Sequence, residues 1–128
     1  MTNHFELLKK LDPIILDNEY VFCTFLSSTY DDYAKFNPLA SFNEKEGLTL
    51  VIQKEIAKLN SLEFNGVFKC ISLNLISSLS SVGLTASISK VLADNGISAN
   101  MYAGYYHDHI FVQLDKVNDA FKLLCDNW

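Results

Sequence analysis

The sequence predicts an α+β fold of two fused lobes, the first reduced, and three observations predict it. Short runs alternate apolar and polar residues with the period of a strand, as in Phe68-Lys-Cys-Ile-Ser-Leu-Asn-Leu75. Between such runs the period becomes helical, as in Leu84, Ile88, Val91 and Leu92. The order of elements then repeats: strand, helix, strand, strand, helix from Phe68 onward, and the same series in reduced form before it. That is the order of the split βαβ, or ferredoxin-like, unit, an antiparallel sheet with helices on one face.

A chain of 128 residues can bury one substantial core or two small fused ones. Hydrophobic residues at 49% and charged residues at 20% are the proportions of a globular protein and exclude a disordered one. The net charge of -5 and pI near 5.0 oppose the phosphate neutralisation that drives nucleic-acid binding, so neither nucleic acid nor an anionic membrane is an expected partner. No apolar run reaches the roughly 18 residues that cross a bilayer, and Met-Thr-Asn-His-Phe-Glu is unlike a signal peptide. A cytoplasmic location is expected. Cys23, Cys70 and Cys125 are odd in number, widely spaced and without Cys-x-x-Cys, so reduced, mostly buried thiols are expected.

The elements follow in order. Phe5, Leu8 and Leu11 at helical spacing predict a short helix over 3–11 behind a Thr2 or Asn3 cap, ended by Asp12-Pro13. After a turn at Asp17-Asn18, Tyr20-Val-Phe-Cys-Thr-Phe25 reads as a strand, and 26–38 as a loop with room for one helical turn. Leu39-Ala-Ser-Phe42 and Leu48-Thr-Leu-Val-Ile-Gln53 form a hairpin about Asn43-Glu-Lys-Glu-Gly47, and a short helix follows to about residue 60. Asn65-Gly66 offers a tight turn, and the seam is placed there, dividing the chain into lobes 1–65 and 66–128.

In the second lobe, Ile71, Leu73 and Leu75 face the core while Cys70, Ser72 and Asn74 face away. A helix runs from Ser80 to a stop at Asn95-Gly96. Strands follow at Ile97, Ala99, Met101 and Ala103, and at His109 to Leu114. Asp115 then caps a final helix whose inner face holds Val117, Ala120, Phe121 and Leu124. A unit of this order needs a fourth strand, and none is left before Trp128. The first lobe or another chain must cover that edge, and a homodimer is expected.

Two loops carry the candidate chemistry. Ser77-Ser-Leu-Ser-Ser-Val-Gly83 lies between a strand end and a helix start, where hydroxyls and free helix amides suit a carboxylate or other small anion. The competing reading is plain N-capping with surplus serines exposed, since this is no Gly-x-x-x-x-Gly-Lys phosphate loop. Tyr105-Tyr-His-Asp-His109 is the densest polar and aromatic cluster. An extended chain puts His107 and His109 on one face with Asp108 opposite. Two ligands are too few for a metal, so the histidines are read as hydrogen-bonding at a strand junction. A hydrolytic site, using Cys23 or Cys70 with a histidine or Ser78 with His107 and Asp108, lacks any supporting motif. No catalytic residue, metal or cofactor is assigned.

Glu46-Gly-Leu-Thr-Leu50, Ser77-Ser-Leu, Ser81-Val-Gly-Leu-Thr85, Leu92-Ala-Asp-Asn-Gly-Ile97 and Ala103-Gly-Tyr-Tyr-His-Asp-His-Ile-Phe-Val112 resemble small bacterial proteins built from two tandem ACT-like domains. The resemblance implies paired ferredoxin-like folds and a regulatory, non-enzymatic module that binds an amino acid or similar metabolite. It implies a ligand site where the first strand meets the first helix. Here the matching positions are Ser77 to Gly83, with Asn100 to Gly104 as strand contacts, and the expected site is Ser77, Ser78, Ser80, Ser81 and Gly83 lined by Asn100, Tyr105 and His107. The first lobe lacks a glycine loop and a full first helix, so it is expected to support rather than bind. The alternative is an interaction or structural dimer without a ligand.

Overall fold

The computed structural model describes residues 4–128. The chain divides into two compact units, one formed by 18–68 and the other by 4–17 with Lys69–Trp128. Among the described residues five α-helices, α1 (His4–Leu8), α2 (Tyr30–Tyr33), α3 (Lys54–Leu59), α4 (Leu84–Asp94) and α5 (Val117–Asp126), accompany six strands. The strands are β1 (Pro13–Leu26), β2 (Ala40–Asn43), β3 (Gly47–Gln53), β4 (Phe68–Leu73), β5 (Asn100–Ala103) and β6 (Asp108–Gln113).

In the unit of 18–68 the strand order is β2-β3-β1, all antiparallel, with Val21 opposite Ile52, Cys23 opposite Leu50 and Phe25 opposite Leu48. Those six side chains bury one sheet face against Ala57 of α3 and Phe36 of the 3-10 turn after α2. Tyr33 stacks on Phe25 at 3.9 Å, so the loop between β1 and β2 is anchored by aromatic packing.

In the other unit the order is β1-β4-β6-β5. Residues 13–17 of β1 thus supply the fourth strand that the later residues lack. The amides of Asn74 and Leu75 bond the carbonyls of Asp12 and Leu11 at 3.1 and 3.2 Å, extending the pairing beyond the end of β4. Ile71 and Leu73 of β4 and Ile110 and Val112 of β6 pack against Leu8, Leu84, Ile88, Leu92, Ala120 and Leu124. The helices therefore cover one sheet face, and each fully buried aliphatic side chain contributes about 1.5–3 kcal/mol. Helix α4 stops where Gly96 and Ile97 donate to the carbonyls of Ala93 and Leu92 at 3.0 and 2.9 Å, with Ile97 turned into the same core.

Several boundaries differ from expectation. The first helix spans His4–Leu8 and not 3–11, and the Thr2 or Asn3 cap lies outside the described residues. No turn interrupts β1 at Asp17-Asn18, because both side chains are exposed on an extended chain, which tolerates polar residues there. Helix α4 begins at Leu84 and not Ser80, since the serines form a turn of their own. The strand expected from Ile97 starts at Asn100, and that at 68–75 ends at Leu73. Asp115 sits in a 3-10 turn over Leu114–Lys116 ahead of α5 and does not cap it. Cys70 is fully buried although it lies opposite Ile71 and Leu73 in the alternation, so β4 is covered on both faces at that point.

Candidate functional site

Strand β4 ends at Leu73, and the chain passes through an exposed loop before entering α4. Within that loop the hydroxyl of Ser78 accepts from the Ser80 amide at 3.1 Å, and the Ser78 carbonyl from the Ser81 amide at 3.0 Å. This compact turn leaves Ser78, Ser80 and Ser81 exposed. Gly83 then takes a left-handed conformation at φ 96°, and α4 begins directly after it. The first bond into the helix runs from Ser87 N to Gly83 O at 3.0 Å, and no side chain among the described residues caps the terminus. The first-turn amides, with the positive end of the helix dipole, form a place where an anion is favoured.

The other unit offers an internal contrast. After β1, the Ser27-Ser-Thr29 run also leads into a helix. There Asp32 turns back, and its carboxylate accepts from the Thr29 amide at 3.0 Å and the Thr29 hydroxyl at 3.4 Å. That terminus is closed by the protein's own carboxylate, a capping box legible in Thr29-Tyr-Asp-Asp32 that the sequence reading passed over.

The β5–β6 turn stands beside the serine loop. Gly104 N–H donates to the His107 carbonyl at 2.9 Å, which puts Tyr105 and Tyr106 at the exposed tip with their rings edge to face at 5.0 Å. The next three residues each reach toward β4 and its loop. His107 Nδ1–H donates to the Leu75 carbonyl at 3.2 Å, and Asp108 Oδ2 accepts from the Ser77 hydroxyl at 3.5 Å. His109 Nδ1 meets Ser72 Oγ at 2.7 Å, and that hydroxyl lies 3.9 Å from Cys70 Sγ. Burial, and next the neighbouring His107, push His109 below its usual range, while Asp108 pulls the other way. Burial pushes the Cys70 thiol up to about 11, which removes its nucleophilic form near neutrality.

Of the sequence-predicted residues, Ser77, Ser78, Ser80, Ser81 and Gly83 lie on the loop and His107 bonds to its start at Leu75, while Tyr105 stands at the exposed tip of the adjoining turn. Asn100 stands apart. It opens β5 three residues, about 10 Å, before Ala103, and its amide donates to the Phe111 carbonyl at 3.2 Å. Ser72 was the partner that sequence reasoning missed, because alternation alone assigned it to the face away from the core. Among the described residues no three His, Cys, Asp or Glu side chains form a metal-ligating group. No helix among them is long and apolar enough to cross a membrane.

Two ferredoxin-like units in one chain define the class: a tandem α+β protein. The chain belongs to the ACT domain family, whose models match residues 2–69 and 67–126. ACT domains are typically regulatory modules that bind ligands. The chain is 47% identical to a Vibrio cholerae protein of unknown function described as a possible transport protein, over 94% of this chain and 92% of that one, with a TM-score of 0.87. It shares its fold with the regulatory subunit of aspartate kinase from Thermus flavus, at 7% identity, 88% and 94% coverage and a TM-score of 0.63. Escherichia coli aspartokinase III, solved with aspartate and ADP, aligns at 11% identity over 90% of this chain and 32% of its own, with a TM-score of 0.66. A comparison with curated proteins returns no match.

Proposed function

We propose that the protein is a non-enzymatic regulatory module that binds an amino acid or a similar small carboxylate-bearing metabolite. The carboxylate is captured by the first-turn amides of α4 and the hydroxyls of Ser77, Ser78, Ser80 and Ser81, with Tyr105 and His107 as the adjoining wall. The observation that carries this reading is the difference between the two helix starts: Gly83 opens α4 with no side-chain cap among the described residues, while Asp32 closes α2. Asp32 holds the amide of the residue that precedes α2, whereas the first-turn amides of α4 can receive a carboxylate from a ligand. Family membership supports the same ligand class. The module acts in the cytoplasm as a homodimer whose assembly or docking responds to the ligand.

A thermal-shift screen of the common amino acids tests it. A ligand at 100 times its dissociation constant stabilises the fold by about 2.7 kcal/mol, and no shift with any of them overturns the reading. A second reading, an interaction dimer without a ligand, is favoured by Ile76, Leu79 and Val82, which are 67, 65 and 87% exposed on the same loop. An oligomeric state indifferent to every amino acid would favour it.

A further inference from the structure

We propose that Asn65-Gly66 is a site of spontaneous covalent modification, where Asn65 converts to aspartate and isoaspartate through a cyclic imide, and that the fold withholds this chemistry from the chain's other Asn-Gly pair, Asn95-Gly96.

The reaction needs a free backbone amide and a free side-chain amide side by side. The Gly66 nitrogen attacks Asn65 Cγ and gives up its proton to the solvent, while the side-chain nitrogen takes a proton and leaves as ammonia. A five-membered succinimide remains. Water then opens the ring at one of its two carbonyls. Opening at Cγ leaves an ordinary aspartate, and opening at the main-chain carbonyl leaves isoaspartate, with the chain running through Cγ. Water is the only co-reactant. Glycine favours the attack because no Cβ crowds its nitrogen.

Asn65 and Gly66 are both exposed in the bend between α3 and β4, and Gly66 takes φ 77°. Among the described residues, neither the Gly66 amide nor the Asn65 side chain has a hydrogen-bond partner. Nucleophile and leaving group are thus both free to move together. At the end of α4 both are tied. Gly96 N–H donates to the Ala93 carbonyl at 3.0 Å, and Asn95 Nδ2 donates to the Val91 carbonyl at 2.8 Å. Attack there requires the last helical turn to open first. Asn60-Ser61, at the end of α3, is held in the same way, by Ser61 N–H to the Lys58 carbonyl at 3.2 Å and Asn60 Nδ2 to the Ile56 carbonyl at 2.8 Å.

The two products differ in what they do to the fold. Each adds a negative charge at an exposed position. Isoaspartate also adds a methylene to the backbone between Phe64 and Val67, which are half-buried and pack on the core of the same unit. The altered spacing loosens one of those two side chains, whereas aspartate leaves the spacing as it is.

The test is to age the full chain in warm, mildly alkaline buffer and map its peptides by mass spectrometry, with isoaspartyl and aspartyl forms separated by chromatography. Asn65 should gain the mass of an NH2 replaced by OH, about thirtyfold faster than Asn95, because two hydrogen bonds must first break at the latter. In denaturant the two sites should react at similar rates. Asn65→Asp carries the charge without the methylene and should unfold at the parent's urea midpoint, whereas the aged, isoaspartate-rich protein should unfold at a lower one. Equal rates at the two sites in the folded protein, or an Asn65 that stays intact, overturn the site. An Asn65→Asp variant as unstable as the aged protein, or an aged protein as stable as the parent, overturns the effect assigned to the backbone.

Discussion

The Gly104 amide donates to the His107 carbonyl at 2.9 Å, and a Cβ added to Gly104 would stand 2.7 Å from that same oxygen. The same Cβ would come within 3.4 Å of His109 Nε2. Glycine is required here by close approach, because the turn folds back on its own backbone.

Gly104→Ala therefore forces the β5–β6 turn apart. Overpacking of this kind costs about 1–3 kcal/mol. Urea unfolding should show that loss, with the slope unchanged if only the native state is affected. A variant as stable as the parent would mean that the turn opens without strain.

His109 makes stability depend on pH. Burial and His107 hold its folded-state pKa below the ordinary 6.5, so between the two values the unfolded chain binds more protons than the folded one. The contribution is neutral above 6.5, and stability falls as the pH drops from 6.5 toward the folded-state value. His109→Gln should flatten that part of the profile, as read by denaturant midpoints at successive pH values. A profile unchanged by the substitution would remove His109 as its cause.

The three thiols separate by reactivity. Cys23 and Cys70 are buried and their pKa values raised by that burial, to about 11 for Cys70; Cys125 is exposed on α5, and slight desolvation with Asp126 and Asp12 raises it too, so access and not acidity sets it apart. At pH 8 only about one buried Cys70 in a thousand is a thiolate. Native protein should give one fast thiol with a disulfide reagent, and all three after denaturation. Fast labelling of Cys70 in the native state would show that β4 opens on that timescale.

The legible parts of the fold are those in which one period governs several residues. The alternation of Ile71 and Leu73, the helical spacing of Leu84, Ile88 and Leu92, and the β2–β3 hairpin are all present, since each apolar stripe must meet a core. The turn expected at Asp17-Asn18 failed because polarity was read as a break, whereas two exposed residues cost an extended strand little. The fourth strand was foreseen as an edge that the first lobe or another chain must cover, and residues 13–17 of the first lobe cover it. Its filling by 13–17 depends on a pairing between residues more than fifty positions apart, which no local pattern encodes. The site divides in the same way. The serine loop is visible as composition, but its ties through Ser72, Leu75 and Ser77 exist only once β6 lies beside β4.

Gly83 and Ser78 can be separated experimentally. Gly83 holds φ at 96°, a conformation costing an L-residue about 1–2 kcal/mol, and the helix that follows carries Leu84, Ile88 and Leu92 into the core. Ser78 spends its hydroxyl on one exposed bond to the Ser80 amide. Gly83→Ala should therefore lower the melting temperature by roughly 4–8 °C, while Ser78→Ala should stay within about 0.5 kcal/mol of the parent. The reverse order would mean that the serine turn, and not the left-handed residue, sets where α4 begins. In that case the first-turn amides would be presented by hydroxyl bonding, and Ser78→Ala would shift the amide resonances of 84–86 while Gly83→Ala left them in place.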